Sequence, residues 1–178
     1  RYGHDVRNTR FNPAEATIGV SNADRLRVKW QFDLDVPIET TPTVVGDTLY
    51  FGAPGAYYAL DTETGKQKWK YDMPEEASEN VRRGMEYYQG RLFSGDQAGW
   101  VRCLDAETGR QIWARDFSAP EPGGRRPHLI SAACLAFDGK LYVGTRGNKN
   151  RIMALNADNG TTAWEYWITG EHGFGKGG

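Results

Sequence analysis

Side chains able to do chemistry are present in this sequence, but few are spaced for it. The histidines His4, His128 and His172 stand too far apart for a metal-ligand spacing and read as surface residues. The cysteines Cys103 and Cys134 make neither a disulfide framework nor a metal knuckle, and no Cys-x-x-Cys-His haem-attachment run occurs. They read as buried thiols rather than reactive ones. Arg125-Arg126, behind Pro122-Gly123-Gly124, offers two guanidinium forks to a substrate carboxylate, although a solvated loop explains it as well. Gly173-Phe174-Gly175-Lys176-Gly177-Gly178 has the composition of a phosphate loop without the strand and helix that such a loop joins.

Composition narrows the class. With 22 Lys plus Arg against 23 Asp plus Glu, the formal charge of the 178 residues is -1, and there is no basic footprint to neutralise phosphates. A nucleic-acid or membrane-surface protein is not expected. Six Trp, nine Tyr and seven Phe, within 39% hydrophobic residues, are ample for a packed core. Twenty-two Gly and eight Pro suit many short strands and turns. No apolar run approaches the roughly 20 residues of a membrane-crossing helix. Arg1-Tyr2-Gly3-His4-Asp5 does not read as a signal peptide, so an export signal is expected to have been removed or never to have been present.

The elements that must carry any site are announced by a repeat. Ala59-Leu60-Asp61-Thr62-Glu63-Thr64-Gly65-Lys66-Gln67-Lys68-Trp69 aligns with 103–113 and with 154–164. The shared pattern is small-Leu-Asp/Asn-x-x-x-Gly-x-x-x-Trp. Gly65, Gly109 and Gly160 are separated by 44 and 51 residues, and Trp69, Trp113 and Trp164 keep the same offsets. Trp30 lies 39 residues before Trp69, in the strand-like run 26–32.

Each unit reads as two β-hairpins. Thr43-Val44-Val45 and Thr48-Leu49-Tyr50-Phe51 flank Gly46-Asp47. Gly84–Tyr88 and Arg91–Phe93 flank Gln89-Gly90, and Ala133–Phe137 and Lys140–Val143 flank Asp138-Gly139. The Asp-Gly turn between apolar runs is a hairpin signal because both central positions need positive φ. The Asp/Asn-to-Gly motif supplies the second hairpin, with its Trp on the outgoing strand. Four antiparallel strands at this period fit a propeller blade.

A Trp repeated at one offset implies face-to-face packing of blades. An indole buries roughly 150–250 Å². At ~25 cal/mol/Å² each docking contributes about 4–6 kcal/mol as an upper bound. A bare glycine peptide gives the ring a flat surface to lie on.

The Asp-x-x-x-Gly-x-x-x-Trp unit resembles the tryptophan-docking motif of quinoprotein alcohol dehydrogenase-like propellers. Gly3-His4-Asp5-Val6-Arg7-Asn8-Thr9-Arg10-Phe11-Asn12-Pro13 resembles that family's N-terminal signature, nearest its polyvinyl-alcohol dehydrogenase branch. The resemblance implies an all-β fold of about three four-stranded blades of an eight-bladed type. It also implies divisions at 1–36 (N-terminal segment and closing strand), 37–74, 80–118 and 128–169 (blades) and 170–178 (exit toward a further blade). Residues 26–34 match the family's ring-closing strand, which would have no parent sheet within the sequence.

In that family pyrroloquinoline quinone (PQQ) lies on the propeller axis with a bound calcium ion polarising its carbonyl. The resemblance places Glu39, in Glu39-Thr40-Thr41-Pro42, and Arg83, in Asn80-Val81-Arg82-Arg83-Gly84, where the family contacts the quinone. Ser131, in Ile130-Ser131-Ala132-Ala133, falls where a threonine commonly does so. Trp30, Trp69, Trp113 and Trp164 with Gly65, Gly109 and Gly160 take the docking roles. A planar tricarboxylate suits arginine forks.

The sequence also departs from those enzymes. Where they carry vicinal cysteines before the Arg83 position, Glu76-Ala77-Ser78-Glu79-Asn80 stands here. Thr145-Arg146-Gly147-Asn148-Lys149-Asn150 is a short loop without the calcium-ligating glutamate. The remaining calcium ligands and the catalytic aspartate would fall beyond Gly178. Two readings follow from the resemblance. One is part of a PQQ-dependent dehydrogenase that oxidises a small-molecule alcohol and passes electrons to a cytochrome. The other is a non-catalytic propeller scaffold for protein binding, of the outer-membrane assembly lipoprotein type. Either implies a periplasmic or secreted location, and a partner (the rest of the ring, another chain or further copies) to cover open blade faces.

Overall fold

The computed structural model describes residues 9, 11–74, 83–119, 129–130, 132–146 and 150–168. Among the described residues twelve strands form three four-stranded antiparallel meanders, and the helical structure is a single 3₁₀ turn at Ala23–Arg25. Sheet 1 holds β1 (Thr43–Val45), β2 (Thr48–Ala53), β3 (Ala56–Asp61) and β4 (Gln67–Asp72). Sheet 2 holds β5 (Glu86–Tyr88), β6 (Arg91–Gly95), β7 (Trp100–Asp105) and β8 (Gln111–Asp116). Sheet 3 holds β9 (Leu135–Phe137), β10 (Lys140–Gly144), β11 (Arg151–Asn156) and β12 (Thr162–Trp167). Neighbours in each sheet are neighbours in sequence, as short hairpin connections require. Gln89-Gly90 and Asp138-Gly139 place both turn residues at positive φ, whereas in Gly46-Asp47 only Gly46 does. Reversing the order of glycine and partner changes the turn type but keeps the loop at two residues.

The sheets pack face to face through three apolar layers. Tyr57, Trp69, Met85, Leu92 and Leu104 fill the seam between sheets 1 and 2. Phe93, Trp113, Ile130, Leu141 and Met153 fill the next, between sheets 2 and 3. On its other face sheet 1 buries Phe51, Tyr58 and Leu60 beneath Trp30, Phe32 and Leu34. The 26–34 run therefore covers an apolar face without joining a described sheet.

The tryptophans bind each seam in the same way. Trp30 Nε1 donates to Thr62 O at 2.9 Å, Trp69 Nε1 to Ala106 O at 3.0 Å and Trp113 Nε1 to Ala157 O at 3.0 Å. Each indole lies on the glycine of the following unit: Trp30 on Gly65, Trp69 on Gly109 and Trp113 on Gly160. A Cβ built on any of these glycines would come within 2.6–2.7 Å of the ring. One residue before each aligned Trp the ladder skips a residue, at Lys68, Ile112 and Ala163, and such a bulge sharpens the local twist that brings the ring round to the neighbouring blade. Trp164 is 47% exposed and packs against Tyr142 of its own sheet, with centroids 6.1 Å apart. With Leu135, Ile152 and Tyr166 it forms a largely uncovered apolar face.

The first two docking turns depend on acid-sensitive caps. Asp61 Oδ1 accepts from the Thr64 amide and hydroxyl, both at 2.8 Å, and Asp105 Oδ1 accepts from the same groups of Thr108 at 2.8 and 2.7 Å. These bonds, the threonine hydroxyl foremost, hold both carboxyls below the ordinary aspartate value. A depressed folded pKa contributes stability that is complete above the unfolded value and is lost as pH falls through the folded one. Thermal scans are therefore expected to show a flat Tm down to about pH 5 and a decline below about pH 4. The paired substitution Asp61→Asn and Asp105→Asn, which removes both titrations, should reduce that decline.

Candidate functional site

The short first strands of consecutive sheets touch each other, β1 against β5 and β5 against β9, so the segments entering them gather at one end of the molecule. Main-chain and side-chain bonds fix this convergence. Thr43 Oγ1 donates to Met85 O at 2.5 Å, and Glu86 Oε1 accepts from the Ala136 amide at 3.1 Å. Gly84 is pressed so closely on the Thr41 carbonyl that an added Cβ would sit 2.4 Å from its oxygen. Thr40 is buried and spends its hydroxyl on Gly52, donating to the carbonyl at 2.8 Å and accepting from the amide at 3.1 Å.

Glu39 and Arg83 flank this tight approach. Glu39 precedes Thr40 at the entry to sheet 1, and Arg83 precedes Gly84 at the entry to sheet 2, so both stand at the same end of one inter-sheet crease. Both are exposed, and both take part in interactions. Ser131 lies outside the described residues, although its neighbour Ile130 is held by an amide bond to Asp96 O at 2.9 Å. His4, His128, His172, Arg125, Arg126 and residues 173–178 also fall outside the described residues.

A polar cluster that the sequence reading passed over lies in the seam between sheets 1 and 2. Asp96 and Arg102 form an ion pair, with side chains 0% and 2% exposed. Asp96 Oδ1 also accepts from the Trp100 amide at 2.9 Å, and the guanidinium lies over the Trp100 ring at 5.2 Å. Burial pushes the Asp96 carboxyl upward, while the Trp100 amide and Arg102 pull it back. Beside this pair, Tyr57 Oη, Ser94 Oγ and Arg102 Nε are buried with no hydrogen bond of good geometry among the described residues, although the Ser94 hydroxyl lies close enough to Tyr57 to offset part of its desolvation. Ser94 and Arg102 are directly paired across β6 and β7. In sheet 1 the equivalent pair is Phe51–Tyr58, stacked with centroids 5.1 Å apart, and in sheet 3 it is Val143–Met153. Comparing the aligned repeats column by column would have exposed this exception.

The thiols are inert by environment. Cys103 and Cys134 are free and buried, and desolvation pushes each up to about 12. At the other end of the sheet 1–2 seam a cleft of about 540 Å³ opens beside Val45 and Gly90. In the next seam Tyr88, aligned with Val45, accepts the Gly139 amide on its hydroxyl at 3.1 Å. Lys68, which lines the cleft, is already paired with Asp47 at 2.8 Å.

Comparison with known proteins agrees with this architecture. Residues 1–118 match the family model described as glucose/ethanol/alcohol dehydrogenase, beta-propeller domain, and residues 78–172 match the model described as outer membrane protein assembly factor BamB. The 1-butanol dehydrogenase (cytochrome c) of Thauera butanivorans is 33% identical over 156 residues, covering 82% of this chain and 22% of that protein. The crystal structure of quinohemoprotein alcohol dehydrogenase from Comamonas testosteroni superposes with a TM-score of 0.82 at 27% identity, covering 94% of this chain and 27% of that one. BamB from Moraxella catarrhalis superposes with a TM-score of 0.61 at 20% identity, over 78% of this chain and 39% of that one, a likeness of fold. The chain thus spans 22–27% of the length of the two alcohol dehydrogenases.

Proposed function

Because the chain belongs to the glucose/ethanol/alcohol dehydrogenase β-propeller family, we propose that its three sheets are consecutive blades of a larger propeller that oxidises an alcohol with PQQ and passes the electrons to a cytochrome. The observation that carries this reading is the crease where Glu39 and Arg83 stand on adjacent blades at the end where the first strands converge. The donor set suits the quinone. An exposed guanidinium can fork one of its carboxylates, and the tight Thr41–Gly84 approach holds the two blade entries at a set separation. Bound there, the quinone would supply the electron-pair acceptor for oxidation of an alcohol carbon. The chain's own part would be orientation: Arg83 on a carboxylate, Glu39 and Ser131 as polar contacts at neighbouring entries. Among the described residues no group of three or more His, Cys, Asp or Glu could hold a metal ion.

The apolar face carrying Leu135, Ile152, Trp164 and Tyr166 supports a further blade packed on sheet 3. An extracytoplasmic location accords with this reading, and no described helix is long and apolar enough to cross a membrane. In the full-length protein containing these blades, PQQ titration followed by tryptophan fluorescence should show saturable binding. Arg83→Ala should weaken it about 10- to 100-fold, the loss of a charged hydrogen-bonding partner. Absence of binding by the folded full-length protein would overturn the proposal.

The match of residues 78–172 to the BamB model favours a second reading, a protein-binding scaffold without a quinone. That reading expects no response to PQQ and calcium, and no dye-linked alcohol oxidation, from a correctly assembled ring.

A further inference from the structure

We propose that Asn159 is a conditional deamidation site, suppressed while the seam between sheets 2 and 3 is docked and released when it opens. Asn159-Gly160 is the sole Asn-Gly pair in the sequence, and it occupies a docking turn. The sister turns carry Thr64-Gly65 and Thr108-Gly109, where no side-chain amide precedes the glycine. The capping pattern differs accordingly. In the first two turns an aspartate at the start of the motif accepts from threonine, but in the third Asn159 Oδ1 accepts from the Thr161 amide at 2.9 Å and the Thr161 hydroxyl at 2.7 Å. Two donors on one amide oxygen draw electron density from Asn159 Cγ, the atom at which deamidation begins. Asn159 is exposed, so solvent base and water reach it.

The step needs the Gly160 main-chain nitrogen as nucleophile. It loses its proton to solvent base and attacks Asn159 Cγ, the bond to Nδ2 breaks, and ammonia leaves with a proton from solvent. Water then opens the cyclic imide at either carbonyl, giving aspartate or isoaspartate. In the docked seam this nitrogen is engaged, because the Gly160 N–H donates to Asn156 O at 2.8 Å. The glycine also lies beneath the Trp113 indole with φ +70, and Arg115 of β8 donates to the Asn159 carbonyl at 2.7 Å. Two of these three restraints come from sheet 2, so opening the seam removes them together. Isoaspartate lengthens the main chain by one carbon inside the turn. That shifts Gly160 relative to Ala157, whose carbonyl binds Trp113 Nε1 at 3.0 Å, and opposes redocking. The aspartate product leaves the backbone unchanged.

The test is peptide mapping of the full-length protein after incubation at mildly alkaline pH, with isoaspartate read by enzymatic methyl labelling. Asn22 and Asn156 serve as internal controls. Urea-unfolded protein should form the product at Asn159 at least roughly tenfold faster than native protein. Trp113→Ala should approach the unfolded rate, and Trp113→Phe, which keeps a ring on Gly160 but loses the N–H bond, should fall between. Should Trp113→Ala fail to fold, the Trp113→Phe and urea arms still decide. Equal rates in native and unfolded protein, or no product at Asn159 in urea, would overturn the proposal.

Discussion

Gly109→Ala is expected to destabilise the protein by about 2–5 kcal/mol, measured as a fall in denaturant midpoint at unchanged slope. Two costs add at this position. The backbone sits at φ +71, which costs an L-residue about 1–2 kcal/mol. The new methyl would also lie 2.6 Å from two carbons of the Trp69 ring, so the indole must move off the peptide it covers and strain its bond to Ala106. Gly46→Ala is the matched control. It has φ +58 but nothing within 4 Å of the added Cβ, so only the backbone cost of about 1–2 kcal/mol applies. A Gly109→Ala effect no larger than that of Gly46→Ala would mean that the indole does not need the bare glycine.

Asp96→Ala should cost about 3–5 kcal/mol, because it strands the Arg102 guanidinium in a seam where its side chain is 2% exposed. The loss belongs to the orphaned charge rather than to the pair. Converting the cluster to the residues of the third blade, Ser94→Val, Asp96→Thr and Arg102→Met together, removes both charges and restores an apolar cross-strand pair. That triple variant is expected to be as stable as the parent or up to about 4 kcal/mol more stable. Comparable losses in the single and triple variants would show that the polar cluster itself supports the seam.

Much of the fold was legible because its signals are local. Gly46-Asp47, Gln89-Gly90 and Asp138-Gly139 each close a two-residue hairpin, and the three aligned motifs each form a turn followed by an outgoing strand. Trp30, Trp69 and Trp113 could be paired with Gly65, Gly109 and Gly160 in outline, since a repeated offset implies a repeated contact. The bulges at Lys68, Ile112 and Ala163 were not readable, because one skipped residue leaves no mark on composition. Glu39, Arg83 and Ser131 were named through family resemblance and not through spacing, for they lie one to each repeat and share no local pattern.

By itself the sequence determined the repeat of four-stranded units, the hairpins within them and, in outline, the pairing of Trp30, Trp69 and Trp113 with their glycine turns, because β-turn chemistry and strand alternation act over a few residues. The tertiary structure alone decided which neighbours share each seam. It brought Asp96 and Arg102 into a buried pair against Tyr57 of the preceding blade, set Gly84 on the Thr41 carbonyl, and laid Trp113 over the one docking turn that contains an Asn-Gly bond. Such contacts join residues far apart in the chain, and their strength depends on desolvation and close packing, which exist only once the sheets have stacked.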